Sequence, residues 1–382
     1  MTPVELSRTV LCAVRRAVDE GELRVVVPER ALVTVPGPGG CGDYATNIAL
    51  QLARPAGQPP RHVAEILQAR LLGTDGVTDV VITGPGFLNI TLGDTASVAL
   101  VEEILRRGIR YGHAQGRSVD LLPLACPREV RAVVVMDALA RILRSQGVAV
   151  HTRCEGELAP EWVDILGVRV DDQPARPTPR QRQTPSTAPY PAGPRHTLRP
   201  LPAPADPLPL GRDAARWALL HPAGHDRPRI ADEHLVQRES NPLFRVRYAY
   251  ARTRALSRNA ADLGFDAEPG DVRQDLRQDV RRDVRQDVRP DALHHSTTHI
   301  TTHLAAHPRV LAQAAAHRAP DRLARHLVTV ADAVLPLLPA VLPRGAEKPS
   351  AAHRARLALA EAAGAVLAGG LSLLGIDAPE HI

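Results

Sequence analysis

Four histidines near residue 300 recur at every fourth position and could together bind a metal ion. This histidine ladder consists of His295, His299, His303 and His307. A four-residue spacing places side chains on one helix face, where neighbouring imidazoles can chelate zinc or nickel. The intervening Ser-Thr-Thr, Ile-Thr-Thr and Leu-Ala-Ala triplets indicate an expanded four-residue repeat, and no carboxylate or cysteine beside them offers a further ligand. We therefore predict no metal site, with chelation by the ladder as the alternative.

A second group of residues with chemical potential is a run of arginines and aromatic residues within 241–260. On a helix, Phe244 and Tyr248 share one stripe with Ala251 and Ala255. Arginines flank this stripe on both sides, namely Arg245 and Arg252 on one and Arg247, Arg254 and Arg258 on the other. Guanidinium groups so arranged can follow nucleic-acid phosphates. The same pattern is typical of a solvated helix face whose arginines cover the core, and the helix taken alone favours this second interpretation.

The elements that position these residues follow from periodicity and turn signals. In the first hundred residues, helical spacing of apolar side chains and β-branched runs predict a small α/β domain. Helices are predicted over 3–20, 44–54, 61–72 and 97–107, and strands over 77–83 and 87–92. The turn Gly84-Pro85-Gly86 joins the two strands.

After the first domain, the sequence predicts a βαβ-like unit, then a proline-rich segment and then a helical region. Residues 96–170 contain a helix over 130–144 that precedes an extended segment over 148–152, which predicts one βαβ-like unit. Residues 171–210 are rich in proline, so we predict an extended linker without a packed core. Helical structure is expected from Gly211 to residue 382, interrupted by a poorly ordered insertion at 271–291 that repeats Asp-Val-Arg-Gln. The predicted fold class is α+β.

The composition is typical of a soluble protein of two or three domains. The net charge of +5 is carried almost wholly by arginine, because Lys348 is the only lysine among 382 residues. This charge is permissive for a nucleic-acid partner but weak support by itself. The four cysteines show no Cys-x-x-Cys spacing, which argues against a zinc ribbon or a disulfide framework. Without a signal-like leader or an uninterrupted membrane-length apolar stretch, we expect a cytoplasmic protein with no membrane association.

Several short motifs are shared with one known family. The N-terminal part contains Gly42-Asp43-Tyr44-Ala45-Thr46-Asn47 and Gly84-Pro85-Gly86-Phe87-Leu88-Asn89. The C-terminal part contains Asn241-Pro242, Tyr248-Ala249-Tyr250-Ala251-Arg252 and Gly375-Ile376-Asp377-Ala378-Pro379-Glu380. In these motifs the chain resembles the arginyl-tRNA synthetases. The resemblance implies an N-terminal tRNA-binding domain over 1–95 and a DALR-type anticodon-binding helical domain over 211–382.

The resemblance also implies roles for particular residues. In the family, an aromatic and an amide that follow the Gly-Pro turn contact the outer corner of the tRNA, and Phe87 and Asn89 occupy these positions here. Stacking on a ring and hydrogen bonding to an amide suit an unstacked RNA base. The alternative for Phe87 is a core residue of its strand. The resemblance likewise favours phosphate binding by the helix of residues 241–260. The predicted tRNA-binding residues are thus Phe87, Asn89, Arg245, Arg247, Tyr248, Arg252, Arg254 and Arg258.

The catalytic motifs of the family are missing between the two matching parts. The run Asp137-Ala138-Leu139-Ala140-Arg141 resembles the family's Gly-Asp-Ala-Leu-Ala-Arg helix, so the His-x-Gly-His motif should fall on Cys126-Pro127-Arg128-Glu129. Both histidines, which stabilise charge on ATP phosphates, are absent. A Lys-Met-Ser-Lys-Ser type loop is absent too, since Lys348 lies near the C-terminus. We therefore predict a degenerate remnant of the catalytic domain over 96–170, with no catalytic residues and no cofactor.

These observations predict a non-catalytic protein that binds tRNA through its N-terminal and anticodon-binding domains. Two alternatives remain open. One is a protein-interaction module that partners a true aminoacyl-tRNA synthetase or another protein. The other is a truncated arginine–tRNA ligase with residual ATP-dependent activity, which would require a nucleotide pocket.

Overall fold

A computed structural model describes most of the chain. The described residues are 3–34, 36–37, 42–92, 94–116, 118, 121–171, 196–270, 272 and 290–382. They form two compact units, each assembled from three stretches of sequence. The first unit comprises Met1–Arg107, Leu256–Ala306 and Ala333–Ala363, and the second comprises Gly108–Ala255, His307–Asp332 and Gly364–Ile382. The predicted insertion at 271–291 lies outside the described residues except at positions 272, 290 and 291.

The first unit begins with an antiparallel sheet covered by helices. Its helices are α1 (Pro3–Asp19), α2 (Ile48–Ala56), α3 (Pro60–Leu72) and α4 (Asp94–Arg107), and its strands are β1 (Val33–Thr34), β2 (Tyr44–Thr46), β3 (Val77–Thr83) and β4 (Phe87–Leu92). The strand order is β1-β2-β4-β3. Leu6, Val10 and Val14 recur at helical spacing along α1 and are fully buried in the core of this domain.

One predicted helix in this domain is partly wrong. Residues 44–46, placed in a helix over 44–54, instead form β2, whose Tyr44 pairs with Ile90 of β4. The helix α2 begins only at Ile48 and ends at Ala56. Tyr44 and Thr46 have aromatic and β-branched side chains that fit a pleated, buried surface. The pairing with β4 is a long-range contact and therefore decided the local structure against the helical spacing.

The second unit contains a small parallel sheet. Its strands are β5 (Leu121–Pro127), β6 (Ala149–Glu155) and β7 (His196–Thr197), in the order β6-β5-β7. The helix α5 (Val130–Ser145) connects β5 to β6 and is buried along most of its length. A short helix, α6 (Pro160–Asp164), follows. The βαβ unit and the α+β class that the sequence predicts are thereby confirmed.

The structure differs from the predicted proline-rich linker over 171–210 in the last part of that range. Residues 196–197 form β7, which pairs in parallel with Leu124 and Ala125 of β5. The backbone N–H of Leu201 donates to the carbonyl of Gly224, and Leu210 is buried. Composition alone missed this packing because its hydrogen-bond partners lie far away in sequence. Residues 172–195 lie outside the described part of the chain.

The remaining described elements are helical. They are α7 (Gly211–Leu220), α8 (Pro242–Asp262), α9 (Pro290–Ala316), α10 (Pro320–Val334) and α11 (Ala351–Leu374). The predicted helical start at Gly211 agrees with the first residue of α7. Irregular structure with short 3₁₀ turns separates α7 from α8, where the sequence suggested continuous helix.

In the described part of the chain, two helical segments are long and apolar enough to cross a membrane, judged by length and composition alone. They are Pro320–Ala340 and Ala351–Leu374. In the second, 78% of the most apolar window is buried inside the protein. Core helices meet the same criterion, because a helix that is apolar all round is buried either in protein or in lipid.

Candidate nucleic-acid interface

Asn241 fixes where α8 begins. Its side-chain Oδ1 accepts from the backbone N–H groups of Leu243 and Phe244 at 3.0 and 3.4 Å, while Nδ2 donates to the carbonyls of His234 and Val236 at 2.9 Å. Pro242 follows at the first helical position, where its missing N–H costs nothing. The Asn-Pro motif of the sequence is therefore a helix start with a structural function.

An aromatic pair lies on the first two turns of α8. The rings of Phe244 and Tyr248 stack with centroids 5.6 Å apart and planes 22° apart. Tyr248 remains 39% exposed, whereas Val246, on the opposite side of α8, and the adjacent Ala249 are fully buried. An exposed ring next to a second ring offers a surface on which an unpaired base can stack.

Three of the five predicted arginines on α8 are already bound to carboxylates. Arg245 pairs with Asp332 at 3.0 Å, Arg247 pairs with Asp213 at 3.2 Å and Arg254 pairs with Glu380 at 3.2 Å. The partners come from α10, α7 and the C-terminal segment. Each pair is partly exposed, so each contributes little to stability. The pairs nevertheless reduce the positive charge that these arginines present to a phosphate.

Arg252 differs from its neighbours. It is exposed and, within the part of the chain that the structure describes, forms no ion pair and no side-chain hydrogen bond. It lies one helical turn beyond Tyr248, so the free guanidinium follows the exposed ring along the same side of α8. Arg258 lies near the end of α8, is half-exposed and interacts with neighbouring groups.

A groove of about 450 Å³ borders the first turns of α8. Its wall combines the aromatic ring of Phe244 with the polar groups of Arg247, Asp213 and Asn241. Its other lining residues are Leu210, Arg212, Ala214, His234, Leu235, Val236, Gln237, Leu243, Pro379, His381 and Ile382. Its volume suits a small organic group such as a base. Sequence reasoning missed this groove because the residues of 234–237 carry no motif.

The two predicted residues of the N-terminal domain have opposite environments. Phe87, for which a core position was the alternative, is 41% exposed at the first position of β4. Asn89 is only 2% exposed, and its Nδ2 donates to the carbonyl of Val81 at 3.2 Å and to Oγ1 of Thr83 at 2.7 Å. Its amide therefore ties β4 to β3 inside the sheet. Phe87 is available to a ligand, whereas the Asn89 side chain serves the hairpin that presents Phe87.

Glu129, where the family's His-x-Gly-His motif would end, caps the N-terminus of α5. The carboxylate of Glu129 accepts from the backbone N–H groups of Arg131 and Ala132 at 3.1 and 2.8 Å, and from that of Ala203 at 3.3 Å. A helix N-terminus of this kind is where anions such as phosphate bind. Here the protein's own carboxylate occupies it. Cys126, at the first position of the motif, is fully buried, and burial raises the pKa of its thiol.

Two buried arginines connect α5 to the rest of the second unit. Arg131 is fully buried and donates to five carbonyl oxygens, those of Leu201, Leu219, Pro222, Ala223 and Asp226. Arg216 of α7 is also fully buried and donates to Asp137 of α5 at 2.6 Å. It donates in addition to the carbonyls of Leu166 and Leu374 at 3.0 and 2.8 Å. These hydrogen bonds tie the βαβ unit to α7 and to residues 201–226 of the second unit.

The histidine ladder does not present one continuous face. His299 is exposed, His303 is half-exposed, and the Nε2 atoms of these two rings are 3.2 Å apart. His307 is almost fully buried and stacks against Tyr111 and His326, with ring centroids 6.0 and 5.3 Å away. The side chain of His295 lies outside the described residues. The described part of the chain holds no group of three or more residues arranged to bind a metal ion.

Comparisons with known proteins agree with this architecture. The model of the Arginyl tRNA synthetase N terminal domain matches residues 5–92, and the model of the DALR anticodon binding domain matches residues 246–382. An arginine–tRNA ligase of Frankia alni is 40% identical over 181 residues, which are 45% of this chain and 32% of that protein. One of Renibacterium salmoninarum is 43% identical over 163 residues, 39% of this chain and 30% of that protein. The chain thus spans about a third of the length of the curated relatives it matches.

Solved structures share the fold. Thermus thermophilus arginyl-tRNA synthetase matches with a TM-score of 0.62 at 16% identity, covering 100% of both chains. Arginyl-tRNA synthetase from Plasmodium falciparum matches with a TM-score of 0.64 at 8% identity, covering 100% of this chain and 99% of the other. The shared fold, the two family-model matches and the arginine–tRNA ligase relatives together support a protein related to the aminoacyl-tRNA synthetases. More narrowly, the chain is an arginyl-tRNA synthetase-related protein.

Proposed function

We propose that this protein binds tRNA without aminoacylating it. The observation that carries the proposal is the pairing of an exposed Tyr248 with an Arg252 that has no described ion-pair partner, one turn apart on α8. Stacking by the ring and phosphate binding by the guanidinium are the two contributions by which proteins hold single-stranded nucleic acid. The exposed Phe87 offers a second stacking surface in the first unit. The match to a DALR anticodon binding domain over 246–382 supports an anticodon loop as the ligand of α8.

The absence of aminoacylation rests on the Glu129 cap. Adenylate formation requires positive groups and free backbone donors around the ATP phosphates. At the motif position of this chain, the carboxylate of Glu129 already accepts hydrogen bonds from the backbone N–H groups of Arg131 and Ala132. We accordingly expect no arginine-dependent exchange of pyrophosphate into ATP above a no-enzyme background. A measurable exchange rate in a homogeneous preparation, abolished by omitting arginine, would instead establish the truncated-ligase alternative.

The phosphate contact of Arg252 and the base stacking of Tyr248 can be distinguished by the salt dependence of tRNA binding. Arg252→Ala should lower the slope of log affinity against log salt concentration by about 1, because one phosphate contact is lost. Tyr248→Ala should leave this slope unchanged while weakening binding by about 1–3 kcal/mol, the contribution of one stacked base. The measurement is a fluorescence titration with arginine tRNA at several salt concentrations. Circular dichroism of both variants checks that α8 is intact.

Charge-matched controls make the assignment specific. Arg322→Ala removes an equal charge from an exposed arginine of α10, and we expect binding to change little. Arg245→Ala removes an arginine that is paired with Asp332, so its effect on affinity should be smaller than that of Arg252→Ala. Equal losses for Arg252, Arg245 and Arg322 would indicate only a diffuse charge effect. Absence of tRNA binding at low salt would contradict the proposal.

A protein-interaction module is the second candidate, because apolar side chains border the groove. Leu235, Val236 and Ile382 are exposed at its edge, and three nearby arginines are paired with carboxylates. An exposed apolar rim is typical of a surface that binds another protein. The titrations above distinguish the two candidates. Association with a true synthetase that is insensitive to salt and persists after nuclease treatment would favour this one.

A further inference from the structure

We propose that His299 and His303 of α9 form a two-imidazole chelating site for a divalent transition metal of the zinc, nickel and copper class. The site is independent of the proposed RNA interface, which uses other elements. It also departs from the prediction, made from the repeat-like sequence, that the histidine ladder holds no metal. The spacing of the two ring nitrogens carries the inference.

The two nitrogens are separated as neighbouring ligands of one metal ion would be. Their Nε2 atoms lie 3.2 Å apart. Nitrogen ligands bind zinc at about 2.0–2.1 Å, which places two of them about 2.9 Å apart at a right angle and about 3.4 Å apart at the tetrahedral angle. The observed separation lies between these limits. One metal ion could therefore take both nitrogens once the rings, whose centroids are 4.4 Å apart, turn to direct both lone pairs at it.

The helix that carries the two rings is fixed in place by its buried side. The ring centroids are 4.4 Å apart and the planes are nearly perpendicular, at 86°. Ile300, between the two histidines, and Leu304, after them, are fully buried. The side of α9 that carries these two residues is therefore packed in a core. His299 faces solvent and His303 is half-exposed. Water can therefore reach the ion and supply its remaining ligands.

The direct contact between the two rings also suits a metal. A contact between two imidazole nitrogens at 3.2 Å holds a single proton between them, and a metal ion would replace this proton.

The donor set selects the kind of metal. Imidazole suits zinc, copper and nickel, whereas magnesium and calcium prefer oxygen ligands. With two protein ligands the site is open, unlike the four-ligand sites that hold structural zinc. Joining two weak donors on a rigid helix raises their combined affinity by about 10²-fold or more over one alone.

The experiment is a calorimetric titration of NiCl₂ and ZnCl₂ into the full chain without a polyhistidine tag. We expect His299→Ala and His303→Ala each to weaken the strongest binding by about 10²-fold, since each leaves one donor. The matched control is His303→Ala combined with Ala312→His, which keeps the number of histidines but moves one to an exposed position of α9. This double variant should bind as weakly as His303→Ala.

A second control is His317→Ala, which removes an exposed histidine beyond the end of α9 and should bind metal as the wild type does. Circular dichroism confirms that each variant is folded. The proposal fails if the wild type binds neither metal, or if His303→Ala keeps the wild-type affinity. It also fails if His317→Ala loses as much affinity as His303→Ala. Loss in both ladder variants, with His317→Ala unaffected, supports it.

Discussion

Replacing Asp137 by Ala is expected to destabilise the second unit by about 3–5 kcal/mol. The carboxylate accepts from Nη2 of Arg216 at 2.6 Å, and both side chains are buried. Without it, the Arg216 guanidinium would keep its charge in the interior with only carbonyl partners. Burial already lowers the pKa of Arg216, and Asp137 provides the main opposing attraction. Breaking one side of a buried pair costs more than the pair contributes, because the other charge is left uncompensated.

The measurement is urea unfolding monitored by circular dichroism. The surface control is Arg141→Ala, which removes the more exposed partner of Asp137 and should cost less than about 1 kcal/mol. The double variant Asp137→Leu with Arg216→Met replaces both charges by apolar groups and should be more stable than Asp137→Ala alone. If the urea midpoint of Asp137→Ala equals that of the wild type, the ion pair does not stabilise the packing of α5 against α7.

Acidification below pH 6.5 is expected to destabilise the protein through His307. Burial, and then the neighbouring His326 and His113, hold the pKa of His307 well below its usual value, so the folded state keeps this ring neutral. In the unfolded chain the ring takes up a proton near pH 6.5. Because the unfolded state then binds more protons, the free energy of unfolding falls as pH falls, by up to about 1.4 kcal/mol per pH unit.

The substitution His307→Leu isolates this contribution. The ring is almost fully buried and its Nδ1 has no hydrogen-bond partner among the described residues, so Leu leaves no polar group unpaired. We expect the free energy of unfolding at pH 7.5 to change modestly. Its decline between pH 6.5 and pH 5 should become shallower than in the wild type. His317→Leu, at an exposed position, should keep the wild-type pH dependence. An unchanged pH dependence in His307→Leu would assign the acid sensitivity to other groups.

Much of the fold could be predicted because its signals are local. Helical spacing and β-branched runs located α1, α3, β3 and β4, and the shared motifs indicated the two family domains. Prediction was wrong where a distant partner decides the outcome. Residues 44–46 became a strand by pairing with β4, and 196–197 became a strand by pairing with β5.

The site shows the same division between local and long-range information. The aromatic stripe of α8 follows from spacing alone, and Tyr248 is exposed as this requires. The ion pairs of Arg245, Arg247 and Arg254 do not follow from spacing, since their carboxylates lie on other elements. The burial of Asn89 was likewise unpredictable from the motif, because its role depends on Thr83 across the hairpin. Arg252 therefore became distinct from its neighbours only in the folded chain.

The cap formed by Glu129 opposes the introduction of a histidine at this position of the chain. The carboxylate satisfies backbone donors of α5 and of Ala203, and removing such a cap costs about 1 kcal/mol. A substitution that returns a histidine to position 129 would incur this loss at once, whereas any benefit would require further changes at Cys126 and elsewhere. If the protein acts without a nucleotide, as we propose, single substitutions at position 129 would therefore lower stability with no compensating gain, and this residue should resist change.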